Sequence, residues 1–251
     1  MRPSLLPNLI SGMKRNTDRG ITNGSLFELG PQYLGEKLSD QVIALAGIRF
    51  GNIGPRNWAE IGRDVDVFDV KADVLDVLSR VNVSVEGTKV KTDAPNWYHP
   101  GRAGLVRMGP ENLLAYFGEL HPGVLKNFGI EGRALGFEIL IDSLPFSKRG
   151  KFIKDNKLEL SAFQAVERDF AFIVDMKVAA ETLINAVQVA DKKLITEIKV
   201  FDLFVGEGIE KGKKSIAISA LLQPMKATLT LSLIHISEPT RPRLISYAVF
   251  C

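Results

Sequence analysis

The stretch Phe163–Gln223 has the most regular succession of strand and helix patterns in the chain. Residues 166–174 are rich in Phe and Val at a spacing of two, which is typical of a half-buried strand. Residues 179–189 carry apolar side chains at helical spacing, whereas residues 195–205 and 214–222 return to strand patterns around a glycine-containing turn. This order predicts the opening of a split βαβ, ferredoxin-like module. The sequence predicts neither its second helix nor its fourth strand, so we expect a truncated module with an open sheet edge.

Two long segments of that stretch resemble a known family. AVERDFAFIVD and IKVFDLFVGEGIEKGKKSIAI are similar, without gaps, to the ferredoxin-fold anticodon-binding module at the C terminus of the bacterial phenylalanyl-tRNA synthetase beta subunit. Upstream, MRPSLLPNLI, SLFELGPQY, YHPGR, GELHPGVL and GFEILIDSLP occur in the order that the family shows. The resemblance covers residues 1–230 and identifies the chain as a C-terminal part of such a subunit, which we expect to be truncated at both ends.

The resemblance implies an α+β fold with two domains. Residues 1–145 are expected to form an inactive class II synthetase-like antiparallel sheet with helices. Residues 146–157 are polar and rich in lysine, which predicts a linker. Residues 158–230 are expected to form the anticodon-binding domain, a truncated ferredoxin-like split βαβ.

Apolar patterns predict the elements of the first domain independently of the resemblance. The nearly continuous apolar run at 41–50 predicts a strand covered on both faces, and residues 69–81 have the spacing of an amphipathic helix. The other predicted elements are an N-terminal helical face around Leu9, Ile10 and Met13, a short strand at 25–29 that ends at Gly30-Pro31, a turn at 96–100, strands at 104–108, 113–120 and 133–141, and a helix at 121–128.

The last stretch, Leu231–Cys251, does not resemble the family. LSLIHISEPTR and ISYAVFC are similar to the translation of a sequencing-library transposase adapter, with PRL at the position of its index. We therefore expect residues 231–251 to be adapter read-through and exclude them from the predicted fold. The only cysteine, Cys251, lies in this tail, so the remainder has no thiol for a disulfide, a nucleophile or a metal ligand.

The composition is that of a globular chain. Hydrophobic residues make up 45% and charged residues 24% of the chain, and its apolar runs fall well short of the ~18 residues that a membrane span needs. Without the tail the net charge falls from +3 to +2, so charge alone does not indicate a nucleic-acid partner. The residues after Met1 lack a signal-peptide pattern, which predicts a cytoplasmic location and no membrane partner.

Two segments correspond to the positions where a class II active site holds ATP with arginines, whose bidentate bonds orient the phosphates. Residues 25–30 contain Glu28 and no arginine, and residues 136–142 contain Glu138 and no arginine. We therefore expect no bound nucleotide, no catalytic residue and no metal ligand in this chain. The resemblance implies that the whole enzyme uses ATP and Mg²⁺, and that the alpha subunit of a two-alpha, two-beta assembly performs the chemistry.

Two polar clusters permit a catalytic interpretation and a structural one. His99 and Arg102 could act as an acid–base group and an anion clamp, but no carboxylate or nucleophile accompanies His99 at a recognisable spacing. Glu119 and His121 could form a metal or acid–base pair, but one His and one Glu are too few for a metal site. We favour the structural interpretation, which is a tight turn at Pro100-Gly101 and a helix start near His121.

Basic and aromatic residues in the second domain suggest an RNA contact. Lys199 and Phe201 should share one strand face, and a cation beside an aromatic ring suits stacking on single-stranded bases. Spacing alone favours a different reading, solvated lysines beside a core phenylalanine. The resemblance to an anticodon-binding module favours tRNA contact, with Lys199, Phe201, Lys213 and Lys214 as the candidate tRNA-binding residues.

The sequence leaves two functional hypotheses. The favoured one is part of a phenylalanyl-tRNA synthetase beta subunit, which supports ATP-dependent attachment of phenylalanine to tRNA(Phe) through assembly with the alpha subunit and through tRNA binding. The alternative is a free-standing RNA-binding or scaffold protein built from the same two domains.

Overall fold

The structure is a computed structural model that describes residues 2–54, 58, 62–145, 161–206, 208–225 and 247–250. The chain divides into two compact units, Met1–Lys154 and Asp155–Cys251. The predicted linker after residue 145 and the first residues of the second predicted domain, 158–160, lie outside the described residues. Within the described ranges, no helix is long and apolar enough to cross a membrane.

The first unit is built on a sheet of six antiparallel strands among its described residues. Its elements in chain order are α1 (Leu6–Thr17), β1 (Gly24–Tyr33), β2 (Gln41–Phe50), α2 (Val67–Arg80), β3 (Thr88–Lys91), β4 (Tyr98–Met108), β5 (Asn112–Leu120), α3 (Pro122–Asn127) and β6 (Ala134–Leu140). The strand order across the sheet is β1-β2-β6-β5-β4-β3. The central strands β2 and β6 therefore have neighbours on both sides.

Helices α1 and α2 cover opposite faces of this sheet. Ala44, Ala46 and Ile48 of β2 pack with Leu9 and Ile10 of α1. The core on the other face contains Val70, Val74, Leu78, Phe117, Phe137 and Ile139. Because side chains alternate between the faces of a strand, the apolar run of β2 is covered on both sides, as its sequence predicts.

Helix α2 begins at Val67, two residues before the predicted start, because Asp66 caps it. The Asp66 side chain accepts hydrogen bonds from the backbone N of Phe68 at 2.8 Å and of Asp69 at 3.3 Å, and the Asp69 side chain accepts from Asp66 N at 2.8 Å. This reciprocal capping box satisfies N–H groups that the first helical turn leaves free. The hydrogen bond from Arg63 lowers the pKa of the Asp69 carboxyl and keeps it charged at the helix start.

Two strands of the first unit are longer than the sequence predicts. β1 continues through Gly30-Pro31 to Tyr33, because an edge strand tolerates proline where no ladder bond is required. β4 begins at Tyr98 and includes Pro100-Gly101, for which the sequence predicts a tight turn. The register of β4 on β5 shifts between Tyr98 and Ala103, so this segment is an irregularity within the strand and the predicted turn is wrong.

The second unit has four antiparallel strands and one helix among its described residues. Its elements are β7 (Val166–Asp175), α4 (Ala180–Ala190), β8 (Ile195–Phe204), β9 (Lys213–Leu222) and β10 (Tyr247–Phe250), and the strand order is β10-β7-β9-β8. Leu183 and Val187 of α4 pack against Phe172, Ile216 and Ile218. In the part of the unit that the structure describes, the opposite sheet face carries no helix, and we call it the open face.

The edge of β7 is paired, although the sequence predicts an open edge. β10 runs antiparallel to Phe170–Ile173 of β7. Its Tyr-Ala-Val-Phe sequence contains the aromatic and β-branched residues that favour strands, and the β7 edge offers backbone groups to it. The expectation of a three-stranded sheet is therefore wrong. The expected absence of the second helix concerns residues that the structure does not describe.

Candidate functional site

Glu28 and Glu138 lie in one row across the sheet of the first unit. Glu28 pairs with Ala46 between β1 and β2, and Ala46 pairs with Glu138 between β2 and β6. Both carboxylates therefore lie on the sheet face that α1 covers. At these two positions the resemblance to a class II synthetase leads us to expect the arginines of an ATP site, and both positions hold acids.

Glu138 is a buried carboxylate with three hydrogen-bond donors. The residue is 4% exposed. Its Oε1 accepts from Ser4 Oγ at 2.6 Å, and its Oε2 accepts from Trp97 Nε1 at 3.2 Å and from Tyr98 OH at 3.4 Å. Burial raises the pKa of Glu138, and the three hydrogen bonds oppose that rise. Burial, and then the charge of Glu138, raise the pKa of Tyr98, which therefore remains a neutral donor.

The other acid of the row, Glu28, binds an arginine from elsewhere in the chain. Arg2 Nη1 donates to Glu28 Oε1 at 2.5 Å, and Arg2 Nε donates to the carbonyl oxygen of Pro31 at 3.0 Å. The positive charge of Arg2 is thus balanced by Glu28, and Glu138 follows in the same row. The row offers hydrogen-bond acceptors rather than free cations.

Glu119 is held by two arginines and not by His121. The residue is 3% exposed; its Oε2 accepts from Arg133 Nη2 at 2.9 Å and lies 3.0 Å from Arg102 Nε in an ion pair. The hydrogen bond to Glu119 raises the pKa of Arg133. His121 is the N-cap of α3, where its Nδ1 accepts from Gly123 N at 3.0 Å. The carboxylate of Glu119 is therefore an anchor for two guanidinium groups, and spacing along the sequence missed Arg133 as its partner.

His99 makes a local contact in the irregular part of β4. Its Nδ1 accepts from Gly101 N at 3.1 Å, while Arg102 binds Glu119. These bonds agree with the structural interpretation of the YHPGR segment, although its turn is absent. Among the residues with a described placement, no group of three or more His, Cys, Asp or Glu side chains is arranged to hold a metal ion.

Lys199 and Phe201 line one shallow concavity on the open face of the second unit. Lys199 pairs with Ser219 of β9, and Phe201 lies at a register shift between Val200 and Asp202. The concavity has a volume of about 550 Å³ and is lined by Glu167, Arg168, Asp169, Lys199, Phe201 and Ser219. Phe201 is 58% exposed, so it is not a core phenylalanine.

The charges around this concavity are mixed. Lys199 Nζ lies 3.1 Å from Glu197 Oε1, and Ser219 Oγ donates to Glu167 Oε1 at 2.7 Å. Two basic and two acidic side chains line the concavity. The surface is therefore suited to ring stacking and to hydrogen bonds with base edges more than to attraction of phosphates.

Lys213 and Lys214 lie at the other end of β9. A rise of ~3.3 Å per residue places Lys213 roughly 20 Å from Ser219 along the strand. Lys213 Nζ binds Glu210 Oε2 at 2.7 Å, and Lys214 alternates onto the sheet face of the buried Ile216. The structure thus brings Lys199 and Phe201 together and leaves the other two candidate lysines outside the concavity.

A second exposed aromatic residue, Phe204, lies on the open face and was missed by the sequence reasoning. It is 50% exposed and pairs with Ser215, while Asp202 pairs with Ala217. Small side chains on β9 leave room for a flat ring to approach. The FDLF motif is the signal that was available, but a spacing of three puts Phe201 and Phe204 on opposite faces of a regular strand. The register shift at Phe201 returns both rings to one face.

Comparison with family models matches both units. Residues 1–141 match the phenylalanyl tRNA synthetase beta chain CLM domain, and residues 161–237 match the ferredoxin-fold anticodon binding domain. The second match extends beyond Leu231, where the tail is predicted to begin.

Curated relatives match nearly all of the chain. The chain is 44% identical over 230 residues to the phenylalanine–tRNA ligase beta subunit of Rhodospirillum rubrum and, over the same length, 44% identical to that of Paramagnetospirillum magneticum. It is 45% identical over 234 residues to that of Mesorhizobium japonicum. Each alignment covers 92% of this chain, which spans only 29% of the relative's length.

Among solved structures, the chain is similar to PylSc of Desulfitobacterium hafniense, a pyrrolysyl tRNA synthetase. The TM-score is 0.41 at 16% identity, with 57% of this chain and 48% of that chain covered, which is too distant to support an argument. The family match to the first unit alone spans more than half of the chain. The chain therefore belongs to the phenylalanyl-tRNA synthetase beta chain family.

Proposed function

We propose that the chain supports ATP-dependent attachment of phenylalanine to tRNA(Phe) in the cytoplasm, as part of a beta subunit. The first unit is a non-catalytic scaffold for the alpha subunit in a two-alpha, two-beta assembly, and the second unit binds tRNA. The whole enzyme uses ATP and Mg²⁺. This chain does not bind them, because its row of Glu28 and Glu138 supplies no free cation for a phosphate. The observation that carries the proposal is the open face with Phe201 and Phe204 in a unit that matches an anticodon-binding domain.

The open face has the chemistry that unpaired bases require. Phe201 and Phe204 present exposed rings on which bases of a tRNA loop stack. On the neighbouring strand β9 the side chains of this face are small. Lys199 stands beside Phe201 and contributes a cation. The carboxylate of Asp169 accepts hydrogen bonds from base N–H groups, which adds direction to the stacking.

Removing either ring is expected to weaken binding of tRNA(Phe). Phe201→Ala and Phe204→Ala should each raise the dissociation constant roughly 5- to 100-fold, since stacking contributes ~1–3 kcal/mol per base. Filter binding at fixed salt measures the change. Phe68→Ala, which removes an aromatic ring that is 70% exposed in the first unit, is the matched control and should bind like the unchanged chain. Equal affinity in all three variants would place the tRNA contact elsewhere.

The scaffold role has its support on β1, the edge strand of the first unit. Phe27 is 77% exposed and Leu29 is 62% exposed. They alternate with Glu28 and therefore lie together on the sheet face away from α1. Adjacent exposed apolar side chains on an edge strand are a common association surface. We assign this surface to the alpha subunit.

Replacing both apolar residues is expected to abolish association with the alpha subunit. The unchanged chain should self-associate in light scattering, and the matching alpha subunit should convert it to a defined complex. Phe27→Ser/Leu29→Ser should remain monomeric and should not bind the alpha subunit, whereas the control Phe68→Ser should assemble with it. A monomeric unchanged chain that does not bind the alpha subunit would instead favour the free-standing RNA-binding or scaffold alternative.

We also propose that the native chain has its domains at 1–145 and 158–230, and that residues 231–251 are adapter read-through. LSLIHISEPTR and ISYAVFC support this proposal. Assembly of the sequence reads around this open reading frame tests it. A genomic contig that encodes residues 231–251 contradicts the proposal, and a different continuation after Thr230 supports it.

A further inference from the structure

On the sheet face that α1 covers, small residues lie beside the two acids, and we call this surface the floor. Gly30 pairs with Ala44, one step along from the pair of Glu28 and Ala46. Ala44 and Ala46 are fully buried. Gly30 is not one of the glycines with positive φ, so its backbone conformation does not require glycine. The absence of a side chain at Gly30 must therefore have another reason, which is the space above it.

That space holds the guanidinium group of Arg2. A Cβ atom on residue 30 would lie 2.7 Å from Arg2 Nη2, closer than side-chain atoms approach each other. Arg2 is also fixed at its backbone, where its carbonyl oxygen accepts from Tyr33 N at 2.9 Å. The side chain and main chain of Arg2 are thus both held against β1, with the planar group above the glycine.

The atoms around this group are hydrogen-bond acceptors on two sides. Glu28 Oε1 lies 2.5 Å from Nη1, and the Pro31 carbonyl oxygen lies 3.0 Å from Nε. Gln32, which is 4% exposed and alternates onto the same face, does not take part, since its Oε1 has no donor among the described residues. A planar cation with donors on several edges complements this arrangement, whereas a phosphate does not.

We propose that this floor is a guanidinium-binding site whose ligand in the folded chain is Arg2. The site fixes the segment that leads into α1 against Glu28 and Pro31 of β1. An ordinary surface ion pair between half-exposed groups contributes little. Here the bonds to Glu28 and Pro31 are directed, and Gly30 leaves room for the planar group above it. The site is therefore specific for the shape of the guanidinium group and not only for its charge.

Chemical rescue tests the proposal with the full chain. Arg2→Ala should lower the melting temperature of the first unit by about 5 °C, followed by tryptophan fluorescence, because both tryptophans of the chain, Trp58 and Trp97, lie in that unit. Millimolar methylguanidinium should restore at least half of the loss, and sodium chloride at the same ionic strength should restore none. The unchanged chain should not respond. Arg80→Ala, which removes an exposed arginine paired with Asp76 at 3.5 Å on α2, is the control and should show no rescue.

A second variant tests the space above Gly30 separately from the charge of Arg2. In Arg2→Ala/Gly30→Ala the added methyl group would lie 2.7 Å from the position of Arg2 Nη2 and obstruct a bound guanidinium group, so methylguanidinium should no longer raise the melting temperature. If Arg2→Ala does not fold, Arg2→Lys replaces it, with rescue expected in the glycine background alone. Absence of rescue, rescue by sodium chloride, or equal rescue with Ala at position 30 would each overturn the proposal.

Discussion

Glu138→Ala is expected to lower the unfolding free energy of the first unit by about 3–5 kcal/mol, because three hydrogen-bond donors lose their acceptor at once. The substitution leaves Ser4 Oγ, Trp97 Nε1 and Tyr98 OH without their common acceptor, and the Tyr98 side chain is fully buried. Each buried donor without a partner costs about 1–3 kcal/mol. Urea unfolding followed by tryptophan fluorescence measures the loss, since Trp97 is itself one of the donors.

Glu138→Gln is the matched variant, because it keeps the shape and one acceptor oxygen. Its loss should be about 1–2 kcal/mol, since the amide brings N–H groups towards donors but leaves no buried charge. A loss in Glu138→Ala no larger than in Glu138→Gln would mean that the three donors find other acceptors.

The difference in unfolding free energy between the unchanged chain and Glu138→Gln should change with pH in a definite direction. The folded pKa of Glu138 is raised above its usual value of 4.5 by burial, so the folded state holds this proton more tightly than the unfolded state. The stability that the group contributes is fully present below pH 4.5 and is lost as the pH rises through the folded pKa. The unchanged chain should therefore gain stability relative to Glu138→Gln as the pH falls from 7 through this window. A difference that is constant with pH, or that reverses, contradicts the raised pKa.

The strands could be predicted where side-chain alternation or continuous hydrophobicity decides them. β2 begins and ends where its apolar run does, and β7 follows the spacing of Phe and Val. The predictions failed where position in the sheet overrides local preference. Proline at position 31 is tolerated because β1 is an edge strand, and Pro100-Gly101 remains within β4 because a register shift accommodates it. Neither the edge position of β1 nor the register shift in β4 can be predicted from the local sequence.

The site residues divide in the same way. The acids Glu28 and Glu138 could be found from the resemblance, but their partners Arg2 and Ser4 are joined to them only by the fold. Lys199 and Phe201 were found because they are close in sequence. Phe204 was missed because the register shift changes which face its ring lies on. Local spacing therefore identifies candidate residues, while the tertiary pairing decides which of them act together.

The other large expected effect concerns the second unit and tests the proposal that residues 231–251 are not native. Replacing them with the C-terminal segment of a close relative should stabilise residues 158–230. Val200 and Leu203 pair with the buried Ile218 and Ile216, and so lie on the sheet face that α4 covers, yet they are 38% and 54% exposed. Helix α4 therefore leaves apolar surface on this face of the sheet, and a second helix that joins β9 to β10 would cross the same face over β7, beside α4.

The gain can be estimated from the size of such a helix. Burial of three or four Leu- or Val-sized side chains contributes on the order of 5–10 kcal/mol at ~1.5–3 kcal/mol each. Whole domains are stable by only ~5–15 kcal/mol. The four residues of β10 already pair the β7 edge, so the gain should appear mainly as slower amide exchange in β7, which such a helix would cover, and in its neighbour β9.

Because β8, which carries Phe201 and Phe204, pairs with β9, tRNA(Phe) should also bind more tightly in the replaced chain at fixed salt. A scrambled segment of the same composition is the control, and it should restore neither protection nor affinity. Equal exchange and equal affinity in the two chains would show that the sheet is already ordered without a second helix.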